Sequence, residues 1–435
     1  MQIVKGGNVS KLLEGVVIPK MFHARQNFFR NHIEVSDIPA AIIKELERKE
    51  ISSTIKPGMS IAITAGSRGV RNVALITKTI VDFVWGKGAK PFIVPAMGSH
   101  GGATAEGQKD MLATFGITEK AMGCPIHSQM ETVQLGTSEY GKPVFQDKNA
   151  FEADGIIISC RIKPHNAFRG IVESGICKML VVGLGKQKGA ESVHSDGMGN
   201  MAKNLVANAK VVLANSRILF AIPCIENAFD ETAYIEAVLP QSVMVREPEL
   251  LQIAFGNMPK ILVPESDVLV VNEMGKNYSG TGVDPNISGT WSTEYASGGL
   301  KVQRTCFLDL TDVSHGNANG MGLANVITKR MFEKLDTEMI YPNCLTSTVL
   351  KSAMMPVVVA TDKEAIQACI RTLNSVDNDH IRMVRIKNTL HVDMIMLSEA
   401  YYLDVKAGKW PGLEAVSEPK ELEFDAEGNL ITIMA

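Results

Sequence analysis

Through the first half of the chain, short runs of apolar residues alternate with segments whose apolar positions recur every three or four residues. Met59 to Thr64 reads as a strand and Gly66 to Arg71 as a polar turn. Asn72 to Trp85 follows as a helix, with Val73, Ile76, Ile80, Phe83 and Val84 at helical spacing. Gly86 to Lys90 breaks that helix and Pro91 to Ala96 is the next strand, which makes a βαβ unit with parallel strands and a right-handed crossover. Glu106 to Phe115 is a second helix, Gly155 to Cys160 a third strand, Arg161 to Gly170 a turn, and Ile171 to Val182 another helix.

The pattern loosens further on. Ser242 to Lys260 contains Arg246-Glu247-Pro248, which can open a helix leading to an interdomain connection. Lys260 to Val271 holds a strand, and a polar, glycine-rich stretch follows to Trp291. Asp362 to Leu373 reads as a helix and Ile381 to Leu397 as two strands joined at Lys387-Asn388. Asp404 to Glu418 is loose, and the chain closes on a small hairpin around Glu427-Gly428-Asn429. A single core seldom grows past about 300 residues, so 435 residues predict two domains. The expectation is an α/β protein: a Rossmann-like parallel-sheet domain over 1–250, which 411–435 can complete, and a second α/β domain over 255–410. Its active site is expected in the cleft between them.

Composition narrows the function classes. Lysine and arginine total 44 against 47 acids, a net charge of -3, and no block of five like charges occurs. That argues against nucleic acid and against a polybasic membrane patch. The seven cysteines are scattered, without a CxxC pair, and read as buried thiols of a reducing compartment. With no signal-like N-terminus and no apolar run near the ~18 residues of a membrane span, a cytoplasmic protein is expected.

Each of the three strands leads into a loop with one residue of chemical interest: Arg68, His100 and His165. In open parallel sheets, ligands bind beyond the carboxyl ends of the strands. GSRGVRN (Gly66 to Asn72) lies between strand and helix, where backbone N–H groups favour an anion, with Ser67 and Gly69 as cofactor contacts and Arg68 as a grip on a carboxylate or phosphate. It lacks the Gly-Lys-Ser/Thr ending of a P-loop. AMGSHGGATAEGQ surrounds His100 with glycines and offers Thr104 as a helix cap. PHNAFRGIVESGICKMLVVGLGKQKGAESVH (Pro164 to His194) puts His165 and His194 on either side of Lys178. Imidazole can ligate metal or move protons near neutrality, and an amine in an apolar setting can form a covalent link. Taken alone, these residues are equally consistent with loop histidines and a solvated lysine. GLGKQKG (Gly183 to Gly189) reads as a helix terminator and connector. In the second half, Lys276 and Glu273 sit in the glycine-rich stretch and His315 in the polar loop SHGNANGMG, with Lys276 and His315 as candidate substrate contacts. His23, His32, His127, His380 and His391 are assigned no role.

Arg68 in AGSRG, His100 in AMGSHGG, His165 in KPHNAFRG, Lys178 in SGICKM and His194 in ESVH together resemble the lactate racemase family. Its cofactor is a nickel-pincer nucleotide, the nickel complex of pyridinium-3,5-bisthiocarboxylic acid mononucleotide. The resemblance implies covalent attachment at Lys178, nickel ligation by His194, acid–base roles for His100 and His165, and Arg68 on the substrate carboxylate. The implied reaction is racemisation or epimerisation of a 2-hydroxy acid by hydride transfer to and from the cofactor. Implied partners are the cofactor-synthesis and insertion proteins, and a homo-oligomer is compatible. The chain departs from the lactate enzymes at Ala65, where they carry an aspartate, and at the open Ser99-His100-Gly101-Gly102 loop. His165 is also three residues farther from the lysine. These departures suit a larger hydroxy acid, such as an aldonic acid, at least as well as lactate. Two alternatives stand beside this reading: a lyase or hydrolase whose histidines hold a divalent metal directly, and a non-catalytic carrier of the nickel nucleotide.

Overall fold

The computed structural model describes residues 3–67 and 70–434, so Arg68 and Gly69 lie outside the described residues. The chain divides into two compact units, one of residues 30–258 and one formed by 1–29 together with 259–435.

The 30–258 unit is built on a five-stranded sheet in the order Lys90–Pro95, Ser60–Ala65, Gly155–Arg161, Ile218–Glu226, Thr232–Ile235. The first four strands are parallel and the last is antiparallel. Strands covered on both faces should be apolar at every position rather than alternately. Ile61, Ile63, Ile156, Ile157 and Ile158 obey this, all fully buried. The helix Val73–Gly86 turns Ile76, Ile80 and Val84 into the same core as Ile61, Ile63 and Phe220.

The structure differs from the sequence expectation after the third strand. Ile171 does not begin a helix. Lys163 and Ser174 pair through two backbone hydrogen bonds of 2.9 and 3.2 Å, closing a neck around residues 164–173, and helix begins only at Ile176–Lys178. A π-helical turn, Met179–Gly183, follows. GLGKQKG is likewise more than a connector, because the next helix, Lys186–His194, starts within it. Local pattern could not show this, since Ser174 pairs with Lys163 eleven positions earlier and the helix start is capped by Glu247, seventy positions from Cys177.

The other unit carries an eight-stranded sheet in the order Val357–Val359, Val326–Thr328, Lys301–Phe307, Glu265–Val271, Met383–Ile386, Met394–Ser398, Met21–Gln26, Leu413–Ala415. Five strands run parallel and the last three alternate in direction. This corrects the expected boundaries. Residues 1–29 and 411–435 belong with the second unit, because Met21–Gln26 pairs with Met394–Ser398 on one side and Leu413–Ala415 on the other. Phe22 and Ala24 then enter the core with Leu269, Phe307 and Leu397. The stretch Asp404 to Glu418 is also more ordered than its prolines suggest, since it includes most of the helix Tyr402–Lys406 and the last strand. All seven cysteines are free and buried. Among the described residues, no helix is long and apolar enough to cross a membrane.

The 30–258 unit ends on the helix Val243–Asn257, which contains Pro248. Its Glu247, 1% exposed, accepts the Cys177 N–H at 2.8 Å and so caps the short helix that carries Lys178. A Cβ on Gly175 would overlap the Glu247 carboxylate, which explains the glycine of SGICKM. Burial pushes the Glu247 carboxyl up to about 7, against the bonds from Cys177 and the Ile176 N–H. The fold therefore holds a proton that the unfolded chain releases above its ordinary carboxyl value. The stability Glu247 contributes is fully present below that ordinary value and is lost as pH rises through about 7. Glu247→Gln should flatten this part of the profile, gaining on the wild type by at most about 3 kcal/mol between pH 5 and 8 in urea denaturation. Parallel curves for the two proteins would exclude a titrating Glu247.

Candidate active site

Three loops leave the carboxyl edge of the five-stranded sheet. The first begins with Gly66 and Ser67, and its far end is held by Glu226, 4% exposed, which accepts the Arg71 N–H at 2.8 Å. Burial raises the Glu226 carboxyl, and its ion pair with Arg161 opposes that shift. Arg68 and Gly69, between these fixed ends, are outside the described residues. The second loop carries His100, whose Nδ1 lies 2.5 Å from Ser67 Oγ. Ser67, expected at the cofactor, therefore also touches a candidate acid–base group. Thr104 caps the helix Ala105–Thr114 through a 3.0 Å bond from the Gly107 N–H, as the sequence suggests.

The third loop, 164–173, presents His165. Glu173, 1% exposed, accepts the His165 N–H at 2.6 Å and the Gly170 N–H at 3.3 Å. Arg169 donates to the His165 carbonyl at 2.9 Å and to Glu173 at 3.3 Å. The loop is thus folded around one buried carboxylate, whose pKa burial raises while these donors hold it back. The His165 ring packs 4.3 Å from that of Phe168.

Lys178, His165 and His194 share one electrostatic environment. Burial pushes His165 well below the ordinary imidazole value, and the neighbouring Lys178 and His194 push it further in the same direction. His194 is lowered by burial and by Lys178, against the bond it makes to the Ala190 carbonyl. Both rings are therefore neutral at neutral pH. Their tautomers are opposite. His194 Nδ1 lies 2.6 Å from the Ala190 carbonyl, which can only accept, so Nδ1 carries the hydrogen and Nε2 keeps the lone pair. This is the arrangement of a metal-binding histidine oriented by its outer hydrogen bond. His165 Nδ1 instead accepts the Ala167 N–H at 3.1 Å, so its neutral form bears the hydrogen on Nε2.

The π-helical turn after Lys178 packs against the His100 loop. Isolated π turns interrupt helices frequently at functional sites. Gly98 N–H donates to the Gly183 carbonyl at 3.3 Å, and a Cβ on Gly183 would lie 2.9 Å from the Ala96 carbonyl oxygen. Two backbones meet here because neither residue has a side chain.

The remaining candidates lie in the other unit. Lys276 Nζ donates to the Gly280 carbonyl at 2.6 Å and to Asn343 Oδ1 at 3.0 Å, and exposed His315 adopts a left-handed φ of 48°. Of the histidines given no role, His32 and His380 do pair with carboxylates, Glu34 and Asp377. Among the described residues, no group of three His, Cys, Asp or Glu is arranged to hold a metal ion. Sequence reasoning missed Glu173, Glu226 and Glu247, carboxylates whose work is to accept backbone N–H groups or pair with Arg161. Only the glycine and basic residues around Glu173 hinted at any of them.

A solved structure of the lactate racemase apoprotein from Thermoanaerobacterium thermosaccharolyticum is similar over 78% of this chain and 83% of that one, at 14% identity and a TM-score of 0.49. No curated protein matches significantly. The family model described as the lactate racemase N-terminal domain matches residues 19–205, the stretch that contains Ser67, His100, His165, Lys178 and His194. Over these residues the chain is similar to the N-terminal domain of lactate racemases.

Proposed function

We propose that this protein is a 2-hydroxy acid racemase or epimerase that uses a nickel-pincer nucleotide carried on Lys178. The observation that carries the reading is the tautomer of His194. Its Nδ1–H is committed to Ala190, so Nε2 keeps the lone pair that a ligand nitrogen needs, and Lys178 lies close enough to His194 and His165 to lower both. Residues of this kind suit the cofactor: an amine for covalent attachment and a neutral imidazole for nickel. When bound, the cofactor supplies reversible acceptance of a hydride from carbon.

The chain's own residues supply the rest. Arg68 holds the substrate carboxylate, which keeps a planar intermediate in place while its two faces are addressed. His165 holds a proton at Nε2 for a substrate oxygen. His100, braced by Ser67, serves the opposite face. Glu173 and the closed 164–173 neck keep the His165 ring oriented while its proton moves. The family's aspartate is Ala65 here, and glycines follow His100, which favours substrates bulkier than lactate, with aldonic acids as the class to test first.

Intact-protein mass spectrometry after co-expression with the cofactor-making enzymes should show an adduct that Lys178→Ala abolishes along with activity. His194→Ala should keep the adduct and lose the nickel. An unmodified yet fully active protein would falsify the proposal, and so would a Lys178→Ala variant that binds metal stoichiometrically and turns over. On loaded enzyme, chiral chromatography across a panel of hydroxy acids identifies the substrate. His100→Ala and His165→Ala should each lower kcat by roughly 100- to 10,000-fold. A smaller loss at either position would remove that histidine from proton transfer.

A further inference from the structure

Lys186 has no part in the chemistry described above, yet it is fully buried and adopts a left-handed φ of 54°, which costs a residue with a side chain on the order of 1 kcal/mol. Its ammonium donates to the Pro95 carbonyl at 2.5 Å and to Gln108 Oε1 at 3.0 Å, and it pairs with Asp147 Oδ2 at 3.1 Å. An ammonium has three N–H groups, and three acceptors from three different segments surround it. Asp147 is itself fully buried; its Oδ1 caps the helix Lys148–Glu152 and its N–H donates to the Leu184 carbonyl at 2.7 Å.

Gln108 passes this arrangement on. It too is fully buried, and its Nε2 donates to the carbonyls of Gly98 at 2.9 Å and of His100 at 3.1 Å. Lysine can only donate and carbonyls can only accept, so the amide has one orientation that satisfies both ends. Lys186 is also the first residue of the helix that ends in His194. The contacts thus run from the start of that helix, through Gln108, to the backbone on both sides of Ser99.

We infer that Lys186 is a positioning residue for His100, acting through Gln108, and that it ties the His100 loop to the helix bearing His194. The assignment of a task to His100 rests on the proposed racemase reading; the positioning does not. A fold clamp alone is a poor account of this cluster. A buried ion pair is often no more stabilising than apolar residues of the same volume, and here the cation also holds the amide of Gln108, whose own donors go to the Gly98 and His100 carbonyls of one functional loop.

The test uses Lys186→Met and Gln108→Leu, the second because the first leaves Asp147 buried without its cation and can fail to fold. In cofactor-free protein labelled with nitrogen-15 at histidine, the ring nitrogen shifts of His100 report its tautomer and its bond to Ser67. Hydrogen exchange of the peptide over 96–104 reports the loop. Both should change in Gln108→Leu, while the signals of exposed His380 stay as in the wild type. In loaded enzyme, kcat should fall about 10- to 100-fold with KM within about threefold, as expected when a reacting group is misplaced without loss of substrate binding. His100 shifts and loop exchange identical to wild type in folded Gln108→Leu would overturn the inference. Altered His100 shifts with unchanged turnover would uphold the positioning and remove His100 from the proposed proton transfer.

Discussion

A cation buried beneath the carboxyl edge of a parallel sheet must find acceptors from several directions, and the geometry around Lys186 follows from that requirement. Its three partners come from the end of the strand Lys90–Pro95, from the helix Ala105–Thr114 and from Asp147 at the start of Lys148–Glu152. Burial raises the Asp147 carboxyl and lowers the Lys186 ammonium, while each opposes the other's shift by its charge. A charge in such a place is held by its neighbours and fixes them in return. The segments that meet there lead to His100 on one side and to His194 on the other.

Buried carboxylates perform the same service elsewhere in the unit by accepting backbone N–H groups. Glu173 folds the loop of His165, Glu226 holds the far end of the loop that contains Arg68, and Glu247 caps the turn that begins one residue before Cys177 and carries Lys178. Irregular backbone near a core needs partners for its donors, because a buried unpaired N–H costs roughly 1–3 kcal/mol. In this protein those partners are acidic side chains, Glu173 from within its own loop and Glu226 and Glu247 from a distant strand and helix. His100 and His165 can then sit on loops, and Lys178 on a short helical turn, and still be held in place.

The strands and helices of the βαβ region were legible because their apolar positions are local and periodic. Met59 to Thr64, Asn72 to Trp85 and Pro91 to Ala96 each match an observed element to within a residue or two. The stretch Ile171 to Val182 was not legible. Its periodicity suits a continuous helix, but the Lys163–Ser174 neck and the Glu173 carboxylate delay helix formation to Ile176. The placement of the first 29 residues was equally hidden, since a strand's partner is chosen by the register and faces of a sheet assembled some 370 residues later.

The sequence by itself determined the alternation of parallel strands and helices, the edge at which Ser67, His100 and His165 emerge, and the 16-residue interval from Lys178 to His194. All of these depend on order and spacing along the chain. Only the tertiary structure decided which ring nitrogen of each histidine carries the hydrogen, that Lys186 is buried rather than solvated, and which carboxylates complete the loops. Hydrogen-bond partners across 70 or 90 positions leave no periodic trace. A proton's location depends on the one acceptor or donor that folding brings within about 3 Å.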